Sequence, residues 1–341
     1  MAPRAFIAGV SGLTLTNDER TFLRDADPWA AILFKRNVSS RSQVSELTRT
    51  IREALGREAA ILVDQEGGRV QRLGPPAWPA YPAGARYGAL YDRQRQVGLE
   101  AAELGARLIA SDLREVGIDT DCLPLADVPV TEGDPVIGDR AYGDRPDKVA
   151  DIAAAVARGL MRGGVLPVLK HLPGHGRATA DSHLRLPVVD TPRSELEKTD
   201  FAAFRPVAAL PLGMTAHVVF SAIDPTTPAT TSATMVREVI REWIGFTGLL
   251  MSDDVSMGAL SGTIAERSRA SIAAGCDVVL HCNGDLGEMR AVASEAPELS
   301  GNALRRADAA LAARGAPDVF DIDAARARFA ELMAGGSPAT A

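Results

Sequence analysis

Eight short apolar runs recur along this 341-residue chain, and each is followed by a segment with helical periodicity. The runs are apolar nearly throughout, a pattern typical of parallel strands that are covered on both faces. They occupy residues 5–10, 30–34, 59–64, 120–127, 165–171, 212–219, 248–253 and 276–282. The helical segments between and after them occupy residues 17–25, 41–55, 93–116, 148–162, 193–208, 233–244, 263–274 and 286–293.

This alternation predicts an α/β protein folded as a single-domain (β/α)₈ barrel of the TIM type. The main alternative is a doubly wound open sheet, but no Gly-x-Gly-x-x-Gly motif follows the first predicted strand. Two further helical patterns, at 303–314 and 322–333, predict a helical extension at the C-terminus. We therefore expect one domain over residues 1–334 and a disordered tail at 335–341, where the sequence reads GGSPATA.

Local signals predict where two helices begin and where one long loop lies. Thr16 stands three residues before Glu19, and Ser40 stands three residues before Gln43, so both helices begin with a capping-box signature. The proline-rich segment at 74–82, GPPAWPAYP, is too stiff for a helix. It predicts a long loop after the third strand.

Composition excludes several classes of partner. The chain is 46% apolar, which supplies a sizeable core, and its formal charge of −7 argues against nucleic acid or an anionic membrane surface as a partner. No apolar run approaches the roughly 20 residues that are needed to span a bilayer. The three cysteines, Cys122, Cys276 and Cys282, show no Cys-x-x-Cys spacing, so neither a disulfide framework nor a zinc knuckle is indicated. Free buried thiols fit a cytoplasmic protein.

Polar side chains follow the apolar runs at the point where each predicted strand ends. The ends of the third to eighth strands carry Asp64, Asp127, Lys170, His171, His217, Asp253, Asp254, His281 and Asn283. All five histidines of the chain lie at or just beyond such an end. Polar residues without a role would be scattered over helix surfaces instead. Because the carboxyl ends of barrel strands share one rim, the sequence predicts a functional site there.

The stretch KHLPGHGRATADSH, residues 170–183, concentrates chemistry in one loop, since it holds three of the five histidines. Two kinds of site fit these residues. A metal site is one, although Pro173 and Gly174 disfavour the helix that would align His171 with His175. Glycoside hydrolysis is the other, because it needs an anionic nucleophile and a proton donor, and Asp253 at a strand end suits a rigid nucleophile. The residues alone leave both possibilities open, with the metal site less favoured.

Four motifs carry a resemblance to a known family. The segments VDQEGGRVQRL, VIGDRAYGD, KHLPGHGRATADSH and GLLMSDDVSMGAL closely resemble glycoside hydrolase family 3, in the subgroup of bacterial β-N-acetylglucosaminidases of peptidoglycan recycling. The resemblance runs from about residue 32 to about residue 283. It implies a retaining exo-acting enzyme that releases terminal GlcNAc from GlcNAc-1,6-anhydroMurNAc and its peptides. It also implies a small carbohydrate as the partner, no cofactor and no metal, and we expect a monomer.

The resemblance assigns the catalytic roles one position at a time. The first aspartate of SDD, Asp253, would be the nucleophile, and the histidine of DSH, His183, would be the acid/base, with Asp181 orienting it. Asp254 competes with Asp253 from sequence alone, although strand alternation allows only one of the two to point at the sugar. A histidine suits the acid/base role because imidazole titrates near neutrality with little adjustment.

The same resemblance implies that sugar binding falls to Asp64, Arg72, Arg140, Lys170 and His171. Charged hydrogen bonds to hydroxyl groups are strong and directional, which explains the residue types. We expect His175, Gly174 and Gly176 to shape the loop, with the glycines acting as a hinge that swings His183 over the substrate.

Three alternatives remain open from the sequence. One is a phosphorylase of the same family, in which phosphate replaces water as the attacking group. The others belong to different classes, namely a metal-dependent amidohydrolase with a TIM barrel and a sugar-binding barrel without catalysis.

Overall fold

Eight parallel strands close into one barrel in the computed structural model, which describes residues 2–131, 133–182 and 184–335. In chain order the strands are Arg4–Gly9, Pro28–Leu33, Ala60–Val63, Thr120–Asp121, Leu166–Leu172, Leu212–Thr215, Leu249–Asp254 and Val278–His281. The first strand pairs with the eighth, with Ile7 opposite Leu280, and this pairing closes the ring. The predicted (β/α)₈ barrel is therefore confirmed.

Helices surround the barrel and bury the outer faces of the strands. They are Asn17–Ala26, Arg41–Leu55, Gly84–Arg93, Arg95–Glu115, Pro146–Arg162, Arg193–Leu196, Ile264–Ala274 and Leu286–Glu295, with a π-helix at Met235–Trp243 and a 3₁₀ helix at Phe201–Val207. Strands such as Pro28–Leu33 are buried at every position. This burial on both faces is the physical reason for their continuous apolar character.

Some strands are shorter than the apolar runs from which they were predicted. The fourth strand ends at Asp121, where the Leu123 N–H turns back to the Asp121 carbonyl at 2.7 Å. The chain nevertheless stays beside the fifth strand, where the Ala126 N–H donates to the Lys170 carbonyl at 2.7 Å. The run at 212–219 is also divided, since Val219–Phe220 leaves the barrel and pairs with Val188–Val189.

The helix Gly84–Arg93 and a short hairpin before it were not predicted. Glycine lowers helix propensity, so this segment shows a weak helical signal in the sequence. The structure shows why glycine is needed, because a Cβ at Gly88 would collide with the carbonyl oxygen of Tyr142. Tertiary packing of this helix thus outweighs its low propensity.

The two predicted capping boxes differ in the structure. At the first helix the Thr16 hydroxyl accepts from the Glu19 N–H, and the Glu19 carboxylate accepts from the Thr16 N–H, which completes the box. At the second helix the Ser40 hydroxyl accepts from the Gln43 N–H at 3.2 Å. The Gln43 side chain instead accepts from the Ser39 N–H, so only half of the second box forms.

The predicted C-terminal extension is present as the helices Gly301–Ala312 and Ile322–Met333. The last helix packs on Arg95–Glu115, where Arg328 and Glu100 form an ion pair at 2.8 Å. The predicted tail lies outside the described residues from position 336 onward, and the domain boundary at 334 stays a prediction. Within the described ranges, every helix is too short or too polar to cross a bilayer.

Candidate active site

A cavity of about 300 Å³ opens at the C-terminal ends of the barrel strands. Seven of the eight predicted site residues line it: Asp64, Arg72, Arg140, Lys170, His171, Asp181 and Asp253. The eighth, His183, lies outside the described residues. Apolar side chains, among them Phe34, Met214 and Leu280, complete the wall. The rim predicted from the strand ends is therefore a real concave site.

Five charged side chains form a chain of alternating sign along one side of this cavity. The Lys170 ammonium lies 3.0 Å from Asp64 Oδ1 and 2.6 Å from Glu66 Oε1. Arg72 donates to Asp64 Oδ2 at 3.0 Å, and Arg140 donates to both Glu66 oxygens, at 2.7 and 2.8 Å. We call this set the charge chain. Each buried charge in it has at least one opposite partner, which offsets the cost of removing it from water.

The charge chain fixes the ionisation of its members. Burial raises the pKa of the Asp64 carboxyl, but the adjacent charges of Lys170 and Arg72 outweigh it and hold this pKa well below its usual value. Burial likewise raises the pKa of Glu66, and Lys170 and Arg140 reverse that effect and lower it. For Lys170 burial lowers the pKa, while Asp64 and Glu66 more than compensate and raise it. These three groups are charged at neutral pH.

The hairpin after the third strand brings Arg72 back to Asp64. Gln65–Gly67 pairs antiparallel with Val70–Gln71, so the chain reverses within a few residues. The buried Gln65 side chain then fastens the return, because its Oε1 accepts from the N–H groups of Arg72 and Leu73, both at 3.0 Å. A local turn thus produces an ion pair between residues eight positions apart.

Asp127 organises the start of the 170–183 loop. Its Oδ2 lies 2.7 Å from His171 Nδ1, and its Oδ1 accepts from the His175 N–H at 2.7 Å. Asp127 is fully buried; burial raises its pKa, but the charge and hydrogen bond of His171 outweigh this and lower it. The carboxylate therefore fixes the orientation of the His171 ring at the cavity wall.

The two aspartates of the SDD motif have different partners. Asp254 Oδ1 accepts from the N–H groups of Ser256 and Cys282, at 3.0 and 3.2 Å, and its Oδ2 accepts from the Ser256 hydroxyl at 2.6 Å. Asp253 Oδ1 accepts from the Asp254 N–H at 2.8 Å. The Asp254 carboxylate thus holds the loop after the seventh strand, which makes Asp253 the better candidate for chemistry.

The described part of the 170–183 loop is fastened to its neighbours. The carbonyls of Gly176 and Ala178 accept from the N–H groups of Val130 and Asp134, at 3.3 and 2.7 Å. At Gly176 a Cβ would collide with the carbonyl of Val128, so glycine serves close packing here. That is a different reason for the glycine from the hinge expected above, and the hinge stays a prediction.

Replacing Gly176 by alanine is expected to lower the free energy of unfolding by about 2 kcal/mol, because backbone must move to make room for the added methyl group. Activity should fall as well, since Gly176 lies five residues before Asp181. Urea-induced unfolding measures the loss of stability, and initial rates on the substrate class that the resemblance implies, an N-acetylglucosaminide, measure the loss of activity. Gly12→Ala is the matched control, because a Cβ at Gly12 meets nothing within 4 Å. Equal stability of the two variants would contradict the packing argument.

His175 should make the fold sensitive to mild acid. Burial, followed by the charge of His171, lowers the pKa of His175 to about 4. Between pH 6.5 and 4 the unfolded chain binds a proton at this position and the folded chain does not, so stability falls as pH falls through this window. The His175 contribution to this loss is about 3 kcal/mol at most. Urea-induced unfolding from pH 7.5 to 4.5 should therefore show a shallower loss in His175→Gln than in the parent protein, and parallel curves would refute the assignment.

Metal ligation was the competing interpretation of the loop. Among the described residues, no group of three or more His, Cys, Asp or Glu side chains is arranged to hold a metal ion. His171 Nδ1 faces Asp127, and His175 Nε2 lies 3.1 Å from the Ser182 hydroxyl. The two imidazoles meet edge to face, with ring centroids 5.7 Å apart.

Two residues of the site were missed as functional candidates in the sequence. Asp127 was recognised only as one polar strand end among several, and its contacts with the loop depend on the fold. Glu66 stands in the VDQEGGR motif but follows the strand end that drew attention to Asp64. Its partner Arg140 is 74 positions away, so no local signal could have paired them.

A TIM barrel with an aspartate at a strand end, beside a cavity lined by charged hydrogen-bonding groups, fits a site of the glycoside hydrolase class. The model of the glycosyl hydrolase family 3 N-terminal domain matches residues 9–310. A β-hexosaminidase from Xylella fastidiosa is 40% identical over 286 residues, which cover 82% of this chain and 84% of the relative.

Solved structures agree with this match. The structure of NagZ from Neisseria gonorrhoeae in complex with N-trifluoroacetyl-D-glucosamine is 31% identical with a TM-score of 0.85, covering 98% of this chain and 97% of that one. A family 3 β-N-acetylglucosaminidase from Paenibacillus is 28% identical with a TM-score of 0.84, covering 96% of this chain and 67% of that one. The chain belongs to glycosyl hydrolase family 3, and it is a glycoside hydrolase with β-N-acetylhexosaminidase activity.

Proposed function

We propose that this enzyme is a retaining exo-β-N-acetylglucosaminidase that removes terminal GlcNAc from peptidoglycan fragments, namely GlcNAc-1,6-anhydroMurNAc and its peptides. The observation that carries the proposal is that the two aspartates of the SDD motif have different hydrogen-bond partners. Both aspartates line the cavity, but the Asp254 carboxylate accepts from the backbone of Ser256 and Cys282 and so holds the loop after the strand, and we therefore assign the covalent chemistry to Asp253. The name of a relative bound to N-trifluoroacetyl-D-glucosamine supports an N-acylated amino sugar as the substrate unit.

The size of the cavity favours exo action. At about 300 Å³ it lies at the lower end of the range for ligand pockets, roughly 300–1,000 Å³. Such a volume suits one sugar unit, and we propose that this unit is the terminal one. The aglycone, with its peptide, would then remain outside the cavity, so variation there would be tolerated.

In the proposed mechanism Asp253 attacks the anomeric carbon while His183 protonates the leaving oxygen. A covalent glycosyl ester on Asp253 results. His183 then deprotonates a water molecule, whose oxygen forms the new bond to the anomeric carbon as the ester bond breaks. Asp181 would orient His183 and stabilise its imidazolium form. The net result is hydrolysis with retention, so GlcNAc is released as its β-anomer.

The charge chain supports the proposed sugar-binding roles. Asp64 would accept hydrogen bonds from sugar hydroxyls, while Lys170, Arg72 and Arg140 would donate to them. Because their mutual ion pairs hold these groups in place before the sugar arrives, little reorganisation is required on binding. His171, oriented by Asp127, would donate or accept through Nε2. We further propose that the enzyme works as a monomer in the cytoplasm.

The deciding experiment is intact mass spectrometry after exposure to a 2-acetamido-2-deoxy-5-fluoro glycosyl donor, which slows both chemical steps. An adduct on Asp253 would support the nucleophile and the retaining mechanism together, and an adduct on another residue would overturn the assignment. Product analysis on GlcNAc-1,6-anhydroMurNAc, with and without phosphate, separates hydrolysis from phosphorolysis. Activity that survives a chelator argues against the metal-dependent alternative.

A further inference from the structure

Behind the end of the seventh strand, three buried polar side chains connect two backbone groups of the SDD motif. The Asp253 N–H donates to the Thr215 hydroxyl at 3.3 Å, and this hydroxyl lies 2.7 Å from that of Thr230. Thr230 Oγ1 lies 2.7 Å from His217 Nδ1. His217 Nε2 then lies 3.0 Å from the carbonyl oxygen of Asp254. The series therefore begins and ends on adjacent residues of one strand.

The directions of these hydrogen bonds can be assigned from the ends. A carbonyl oxygen only accepts, so His217 Nε2 carries a proton, and in a neutral imidazole Nδ1 is then an acceptor. The Thr230 hydroxyl donates to that Nδ1, although the Ala216 carbonyl lies at 3.1 Å as a longer alternative. Thr215 donates to Thr230 and accepts from the Asp253 N–H. With this assignment, every hydrogen bond in the series has one donor and one acceptor.

The three side chains come from two segments that the sixth strand places together. Thr215 is the last residue of that strand, His217 follows two positions later, and Thr230 lies in the 3₁₀ turn Ala229–Thr231. All three are fully buried. Burial, as the largest cause, lowers the pKa of His217, which keeps the imidazole neutral as the assignment requires. A neutral network inside the barrel is rigid because each member is satisfied.

We propose that Thr215, Thr230 and His217 are positioning residues that hold the Asp253–Asp254 backbone so that the Asp253 carboxylate is aimed at the anomeric carbon. The proposal rests on the assignment of Asp253 as nucleophile in the proposed function. The residues that line the cavity do not include these three, so the three would act through the backbone of Asp253 and Asp254. Their effect should fall on the chemical step, because small misplacements of a reacting group are costly.

Thr215→Val and Thr230→Val test this directly, since valine removes the hydroxyl with little change of shape. Each is expected to lower kcat roughly 10- to 100-fold, the scale of loss caused by a misplaced catalytic group. The dissociation constant of GlcNAc, measured by titration calorimetry, should stay within about twofold, because binding energy comes from groups that remain in place. The conservative variants Thr215→Ser and Thr230→Ser should recover most of kcat.

A double-mutant cycle provides the readout that a purely structural role would not give. Thr215→Val and His217→Phe interrupt the same series, so the double variant should lose about as much kcat as the worse single variant. Thr48→Val is the matched control, because the buried Thr48 hydroxyl donates to the Val116 carbonyl at 2.8 Å in another part of the barrel. It should lower the melting temperature and leave kcat unchanged.

Three outcomes would overturn the proposal. These are folded valine variants with unchanged kcat, strictly additive losses in the cycle, or a loss of GlcNAc affinity that matches the loss of kcat. If His217→Phe does not fold, Thr215→Val with Thr230→Val completes the cycle. The rate of adduct formation from the 5-fluoro donor separates the two hypotheses. An adduct on a residue other than Asp253 defeats the proposed function, whereas a fast adduct on Asp253 in the valine variants defeats only the positioning role.

Discussion

Asp253→Ala is expected to lower kcat on an aryl β-N-acetylglucosaminide by roughly 10⁴-fold or more, because no covalent intermediate can form without the nucleophile. Azide should restore turnover, since it fits the space left by the carboxylate and attacks the anomeric carbon in its place. The product would then be the α-glycosyl azide, with inverted configuration. Initial rates with increasing azide, together with NMR of the product, measure both parts.

Asp254→Asn is the matched variant for this experiment. Its carboxylate accepts from Ser256 and Cys282, so the change should lower the melting temperature by weakening the loop. Any loss of activity should not respond to azide, because the nucleophile is still present. Recovery by azide in Asp254→Asn, with none in Asp253→Ala, would reverse the assignment of the two aspartates.

Lys170→Met should be the most damaging change in the charge chain. The lysine side chain is 2% exposed and lies between two carboxylates, so its loss leaves Asp64 and Glu66 with one arginine each. We expect a loss of about 3 kcal/mol in the free energy of unfolding, the low end for breaking a buried ion pair. The kcat/KM for the aryl substrate should also fall roughly 100-fold, the value of one charge-assisted hydrogen bond.

Lys148→Met is the control for this second prediction. Lys148 is also buried, at 6% exposed, but its partner Asp92 is 54% exposed and can be solvated alone. Methionine keeps most of the aliphatic stem in both variants, so packing changes little. The loss of stability in Lys148→Met should therefore stay below about 1 kcal/mol. Similar losses of unfolding free energy in the two variants would show that pairing with buried carboxylates does not set the cost of removing Lys170.

The strands of the barrel could be predicted from the sequence because burial on both faces leaves a continuous apolar run, as in Pro28–Leu33. The position of the site followed from the same pattern, since strand ends must meet at one rim. The helix Gly84–Arg93 could not be predicted in this way, because its glycines serve contacts with a distant segment. Where stability comes from tertiary packing, local propensity gives no signal.

Within the site, too, some residue roles could be predicted from the sequence and others depend on the fold. Strand alternation allowed one of Asp253 and Asp254 to face the sugar, but it could not select between them. The preference for Asp253 that we propose rests on contacts such as that of Cys282, which lies one strand further along the barrel and donates to Asp254. The same holds for Glu66, whose place in the charge chain depends on ion pairs with Lys170 and Arg140 on two other segments. Pairings between loops depend on the fold as a whole.

The charge chain also determines what a pH–rate profile of this enzyme will report. The pKa values of Asp64 and Glu66 are lowered, and those of Lys170 and Arg140 are raised, by the charges that surround each group. From about pH 5 to pH 9 these four groups therefore do not change charge. A limb of the profile in that interval therefore reports the ionisation of groups other than these four.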